Sequence, residues 1–151
     1  MSELDVRPHG KYKALDWLWL GIFYYGAALV ARTWWKKYRR TFHTVSVFTR
    51  TIYSPPDGLA EPGDRVYRHE QVHVEQRDRM GLWKFVWKYI TRRGRVELEV
   101  EAYKRDGRGL QSTTAVLTVS NYLLWGWSDE RVAGVIYDRW KELDVVSEHD
   151  S

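Results

Sequence analysis

Cysteine is absent from the 151 residues, which removes disulfides and thiolate metal ligands. Any metal must therefore be held by histidine and carboxylate. A large excess of one charge sign is lacking as well. Lys plus Arg number 24 against 20 Asp plus Glu, a net of +4, so composition gives no reason to expect a nucleic-acid partner. Internal repeats and low-complexity tracts are missing, and only the neighbourhood of residues 32–41 resembles a linker. No continuous apolar stretch reaches the ~20 residues of an ordinary membrane-spanning helix. A chain of this length is about one domain and can bury a modest core unaided.

Aromatic residues are plentiful: nine Trp and ten Tyr. Residues 17–31 are uncharged and apolar on every helical face, so a helix there must be covered on all sides, by protein or by lipid. Trp17 and Trp19 at one end and Trp34 and Trp35 at the other would lie roughly 25 Å apart at 1.5 Å per residue. Asp16 and Arg32 would snorkel outward. A basic cluster follows: Arg32, Lys36, Lys37, Arg39 and Arg40, interleaved with Trp34, Trp35 and Tyr38. Two readings fit, a core helix or a membrane anchor through residues 15–40. A cleaved leader fits less well, because the basic residues are heavier after the apolar run than before it. An anchor would leave the C-terminal part on the cytoplasmic side, so the expected location is cytoplasmic or membrane-associated.

Residues 1–14 read as a loose arm. From residue 41, Phe42, Thr44, Val45, Val47, Phe48, Thr49, Thr51, Ile52 and Tyr53 predict one or two strands, ended by the Ser54-Pro55-Pro56-Asp57-Gly58 turn. Asp64 is placed to N-cap a helix over 65–80 that Gly81 closes. Further helices are expected over 82–92, with Gly94 at its end, over 95–106 and over 112–125. A last helix, 128–140, begins at Ser128 and turns Val132, Val135, Ile136 and Trp140 to one side, with polar residues fraying from Lys141. The expectation is an α+β, mostly helical fold with a small sheet before the 65–80 helix. Its parts are an arm and apolar helix (1–36), a main domain (37–145) and a flexible tail (146–151).

The 65–80 helix carries His69-Glu70-Gln71-Val72-His73. Residues four apart share a helical face, so His69 and His73 can direct two imidazole nitrogens at one ion. Glu70 stands off that line and can reach a metal-bound water without ligating, as a general base must. A third ligand is sought among Glu97, Glu99 and Glu101. On a helical wheel Glu97 and Glu101 fall with Lys104 and Arg105 on a charged, solvated arc. Glu99 falls between Ala102 and Tyr103 in the apolar arc, where a carboxylate is costly unless a cation meets it. Glu99 is therefore the expected third ligand.

These residues, with Glu99-Val100-Glu101-Ala102 in the form Glu-x-x-Ala, resemble the gluzincins, and particularly their minimal single-domain members, over residues 41–106. The resemblance implies a zincin-like domain, Zn²⁺ held by His69, His73 and Glu99, and hydrolysis of a peptide or protein substrate with Glu70 as general base. It also implies a substrate-pairing strand, for which residues 45–53 are the candidate. The acidic residue usual after the alanine is Tyr103 here; Asp106, seven residues after Glu99, could orient a histidine instead. A metzincin would need Gly and His where this chain has Gln76 and Arg79. Gln76 and Met80 share the histidine face and are expected to line the site. His43 could assist an oxyanion or simply be a half-buried strand histidine; Tyr53 and Tyr103 could donate to an oxyanion, although packing is the preferred role. His9 and His149 read as solvated. Two other functions fit the sequence: a zinc-stabilised binding or structural protein without catalysis, and a membrane-associated interaction protein.

Overall fold

The computed structural model describes residues 4–8, 11–16, 43–46, 48–55, 57–119 and 128–149. The expected apolar helix at 17–31 and the basic cluster at 32–40 lie outside these residues. Among the described residues, no helix is long and apolar enough to cross a membrane. The elements are strands β1 (Asp5–Pro8), β2 (Thr44–Ser46) and β3 (Thr51–Ser54), then helices α1 (Arg65–Met80), α2 (Leu82–Ile90), α3 (Arg92–Arg105), α4 (Leu110–Val119) and α5 (Asp129–His149). The order is α+β and mostly helical, with the small sheet ahead of the motif helix, as the sequence patterning led us to expect. Internal contacts divide the chain into Met1–Val74 and Glu75–Ser151, with α1 running through the division.

In the N-terminal unit the sheet order is β1-β3-β2, with β1 parallel and β2 antiparallel to β3. Ile52 lies opposite Val6 on one side and Val45 on the other. Strand β1 corrects the reading of residues 1–14 as a loose arm: the short Asp5–Pro8 segment is ordered by backbone pairing to β3, which its polar composition does not announce. Tyr67 of α1 accepts the Leu4 N–H at 2.8 Å and fixes the start of the strand. With both edges of β3 paired, an extended peptide cannot add to it. Among the described residues of 45–53, β2 is the strand with a single paired edge.

Asp16 is a second correction. Far from snorkelling outward, it is fully buried, and its carboxylate accepts hydrogen bonds from the hydroxyls of Ser46, Tyr53 and, at 2.6 Å, Thr49. Burial and the adjacent Asp16 carboxylate push the Tyr53 hydroxyl far above its usual ionisation range. Three hydroxyl donors make burial of the carboxylate tolerable.

In the C-terminal unit, α1 ends where Gly81 adopts φ 85 and donates its N–H to Arg77 O at 2.8 Å. That left-handed φ suits glycine. Gly94 does not end α2; it lies in the first turn of α3. Thr91 is the N-cap, its Oγ1 accepting the Gly94 N–H at 3.2 Å. Glycine is required there by close approach, since a Cβ would collide with the Lys88 carbonyl oxygen. The core joins Val96 and Val100 of α3 to Leu117 of α4 and to Val132 and Ile136 of α5, with Tyr103, Val135 and Trp140 packed around them. Each such aliphatic side chain contributes about 1.5–3 kcal/mol on burial. Ser128 caps α5, accepting the Arg131 N–H at 3.3 Å. Instead of fraying from Lys141, α5 continues to His149. Lys104 reaches over to it, donating to Trp140 O at 3.1 Å and pairing with Asp144.

Candidate metal centre

α1 is long enough for His69 and His73 to stand one turn apart on one continuous helix, with ring centroids 5.0 Å apart and planes at 84°. Its last turn and a half is held to α3 by several contacts, the Arg79–Glu101 pair among them. Gln76 Nε2 donates to Leu98 O at 2.9 Å, and Glu75 pairs with Arg105 at 2.7 Å. In sequence, Leu98 immediately precedes Glu99, and Gln76 follows His73 by three residues. One ligand atom each of His69, His73 and Glu99 lies within 4.8 Å of the other two. Two imidazoles and a carboxylate, without thiolate, form the donor set of many zinc sites.

All four motif residues are deeply placed: His69 is 9% exposed, Glu70 8%, His73 5% and Glu99 3%. A carboxylate at that depth requires a cation or strong donors. Glu99, expected from its apolar arc to be the third ligand, is buried and grouped with the two histidines.

The neighbouring glutamates behave differently from expectation. Glu97 makes an i,i+4 pair with Arg93 at 2.8 Å and a second pair with Lys88 at 2.9 Å. Glu101, however, is buried and not on a solvated arc. Nearly every residue from 94 to 102 is covered, because α3 is packed on several sides and has no free charged face in this stretch. Glu101 is neutralised by Arg79, at 2.7 and 3.0 Å, and by Arg139 at 3.3 Å. Burial raises its pKa, but the two guanidiniums outweigh burial and hold it below the ordinary glutamate value.

The other candidates have assigned contacts. Gln76 is fully buried and clamps α3 through its backbone, a positioning role. Asp106 caps the end of α3, accepting the Arg108 N–H at 3.1 Å. Tyr103 packs beside the helical core, with the Arg108 guanidinium 4.7 Å from its ring centre. A ring nitrogen of His43 is 3.0 Å from Gly58 O, and Tyr53 is committed to Asp16. Neither joins the triad grouping. Sequence reasoning missed the Asp16 cage and the Glu101–Arg79–Arg139 cluster. The first left a signal, since Thr49, Thr51 and Tyr53 alternate and so share one face of an extended segment. The second left none, because Arg139 is 38 residues away from Glu101.

No family model matches the chain, and no curated protein or solved structure matches it either. The likeness to gluzincins rests on the motif residues alone.

Proposed function

We propose that this protein is a zinc-dependent metallopeptidase of gluzincin type. The observation carrying this reading is the placement of Glu99, a deeply buried carboxylate from a later helix, beside the two histidines of a His-Glu-x-x-His helix. His69, His73 and Glu99 would hold the ion. Zinc bound there would supply Lewis acidity and bring water toward neutral pKa. Glu70, one residue beyond His69 and off the ligand line, takes the proton of the attacking water and delivers it to the departing amine. The substrate is a peptide or protein.

The test is metal content together with turnover. Wild type should bind about one zinc per chain and cleave an unstructured peptide mixture. Glu70→Gln should retain zinc and lose turnover, whereas His73→Ala and Glu99→Ala should lose both. Equal zinc in wild type and His73→Ala would sink the proposal.

The depth of all four residues favours a second reading, a zinc clamp joining α1 to α3 without catalysis, since catalytic zinc keeps an open position. Under that reading Glu70→Gln leaves every function of the protein intact, while chelation destabilises the fold.

A further inference from the structure

Helix α2 is apolar on two opposite sides. Phe85 is buried on one, and its ring stacks on Tyr89 with centroids 5.8 Å apart. On the other, Trp83, Trp87 and Ile90 follow an i, i+4, i+7 stripe. That stripe is open to solvent: Trp83 is 79% and Trp87 70% exposed, and Ile90 is exposed beside them. Two exposed indoles and an isoleucine on one face mark a surface that something apolar meets.

Charge indicates what that something is. Residues 81–96 contain Lys84, Lys88, Arg92, Arg93 and Arg95 and no acidic residue. Lys88 and Arg93 are engaged by Glu97, and Arg95 is buried, its Nε donating to Tyr89 O at 2.9 Å. Lys84 and Arg92 remain exposed. Lys84 follows Trp83 directly and lies three residues before Trp87, and Arg92 stands just beyond Ile90.

We propose that the Trp83–Trp87–Ile90 face of α2, flanked by Lys84 and Arg92, seats the protein on the surface of an anionic lipid bilayer. Indole rings favour the headgroup boundary, where an apolar body and a polar N–H are both accommodated. Long cationic side chains reach lipid phosphates, and α2 has no carboxylate to be repelled by them. A helix of nine residues, roughly 13 Å long at 1.5 Å per residue, lies in the interface and does not span it. This docking is independent of the metal centre and of residues 17–31.

The test is co-sedimentation of the full chain with vesicles of phosphatidylcholine alone or mixed with phosphatidylglycerol. Wild type should bind the mixed vesicles, more weakly as salt rises, and bind pure phosphatidylcholine poorly. Trp83→Ser combined with Trp87→Ser should lower the partition coefficient at least ~10-fold. Lys84→Gln combined with Arg92→Gln should reduce the preference for the anionic vesicles. Both indoles are exposed, so the far-ultraviolet spectrum and melting of the tryptophan variant should match wild type. Undiminished binding by that folded variant overturns the proposal, whichever other segment holds the membrane. Failure of wild type to bind also overturns it, and tryptophan-dependent self-association without vesicle binding would assign the face to a protein partner.

Discussion

Gln76 Nε2 donates to the Leu98 carbonyl at 2.9 Å, tying the turn after His73 to the residue before Glu99. Gln76→Leu should cost about 0.5–1.5 kcal/mol by removing one buried hydrogen bond, the Leu98 carbonyl keeping its intrahelical partner. It should also weaken zinc binding roughly 10-fold or more, as loss of a supporting contact does. Urea melts and competition with a chromophoric chelator measure the two effects. Unchanged zinc affinity in a folded variant would remove Gln76 from the site's support.

Zinc should stabilise the fold through the same residues. Dialysis against a chelator should lower the melting temperature, and added zinc should restore it, because an ion bound only by the folded chain stabilises it by mass action. His73→Ala should melt at the same temperature with and without chelator.

Glu101 sets an acid limit. Its folded pKa is depressed below the ordinary 4.5 by Arg79 and Arg139, against the opposing effect of burial. A carboxylate depressed on folding contributes stability that is present above the unfolded value and is lost as pH falls through the folded one. Glu97 acts in the same sense, since Lys88 and Arg93 outweigh its burial. Stability should therefore decline as the solution is acidified below about pH 4.5. Glu101→Gln should be less stable at neutral pH by about 1–3 kcal/mol and show a shallower acid decline in urea melts across pH.

Gly94→Ala should destabilise despite the better helix propensity of alanine. The gain is about 1 kcal/mol, whereas the new Cβ meets the Lys88 carbonyl oxygen and sits 2.6 Å from Thr91 Oγ1. Backbone cannot step aside cheaply, and overpacking costs about 1–3 kcal/mol or more. A lower melting temperature is expected; an increase would show that α2 and α3 can separate there.

Asp16→Ala should cost roughly 3 kcal/mol, because the buried Ser46 and Tyr53 hydroxyls lose their acceptor and Thr49 is left with Thr51 Oγ1 alone. Asp16→Asn should recover part of the loss, since one amide oxygen can still accept. Thermal unfolding of the two variants gives the order.

Local chemistry was sufficient for much of this protein. The 16 residues of α1 lie between Asp64 and Gly81, the left-handed glycine acting locally at its end, while the Asp64 carboxylate accepts the Glu61 N–H and not one from α1. The His69–His73 pair needs only helical spacing, and Glu99 could be chosen because an isolated carboxylate in an apolar arc is costly wherever the helix packs. What the tertiary structure decided are relationships between distant residues. It paired Asp5–Pro8 with β3, turned Asp16 inward to hydroxyls 30 or more residues away, and brought Arg79 and Arg139 to Glu101. It also left Trp83 and Trp87 uncovered while burying Phe85 of the same helix. A wheel can rank faces by polarity. Which polar residues are enclosed, and by which partners, depends on chain closure over long separations, where burial raises the cost of a charge until a remote cation meets it.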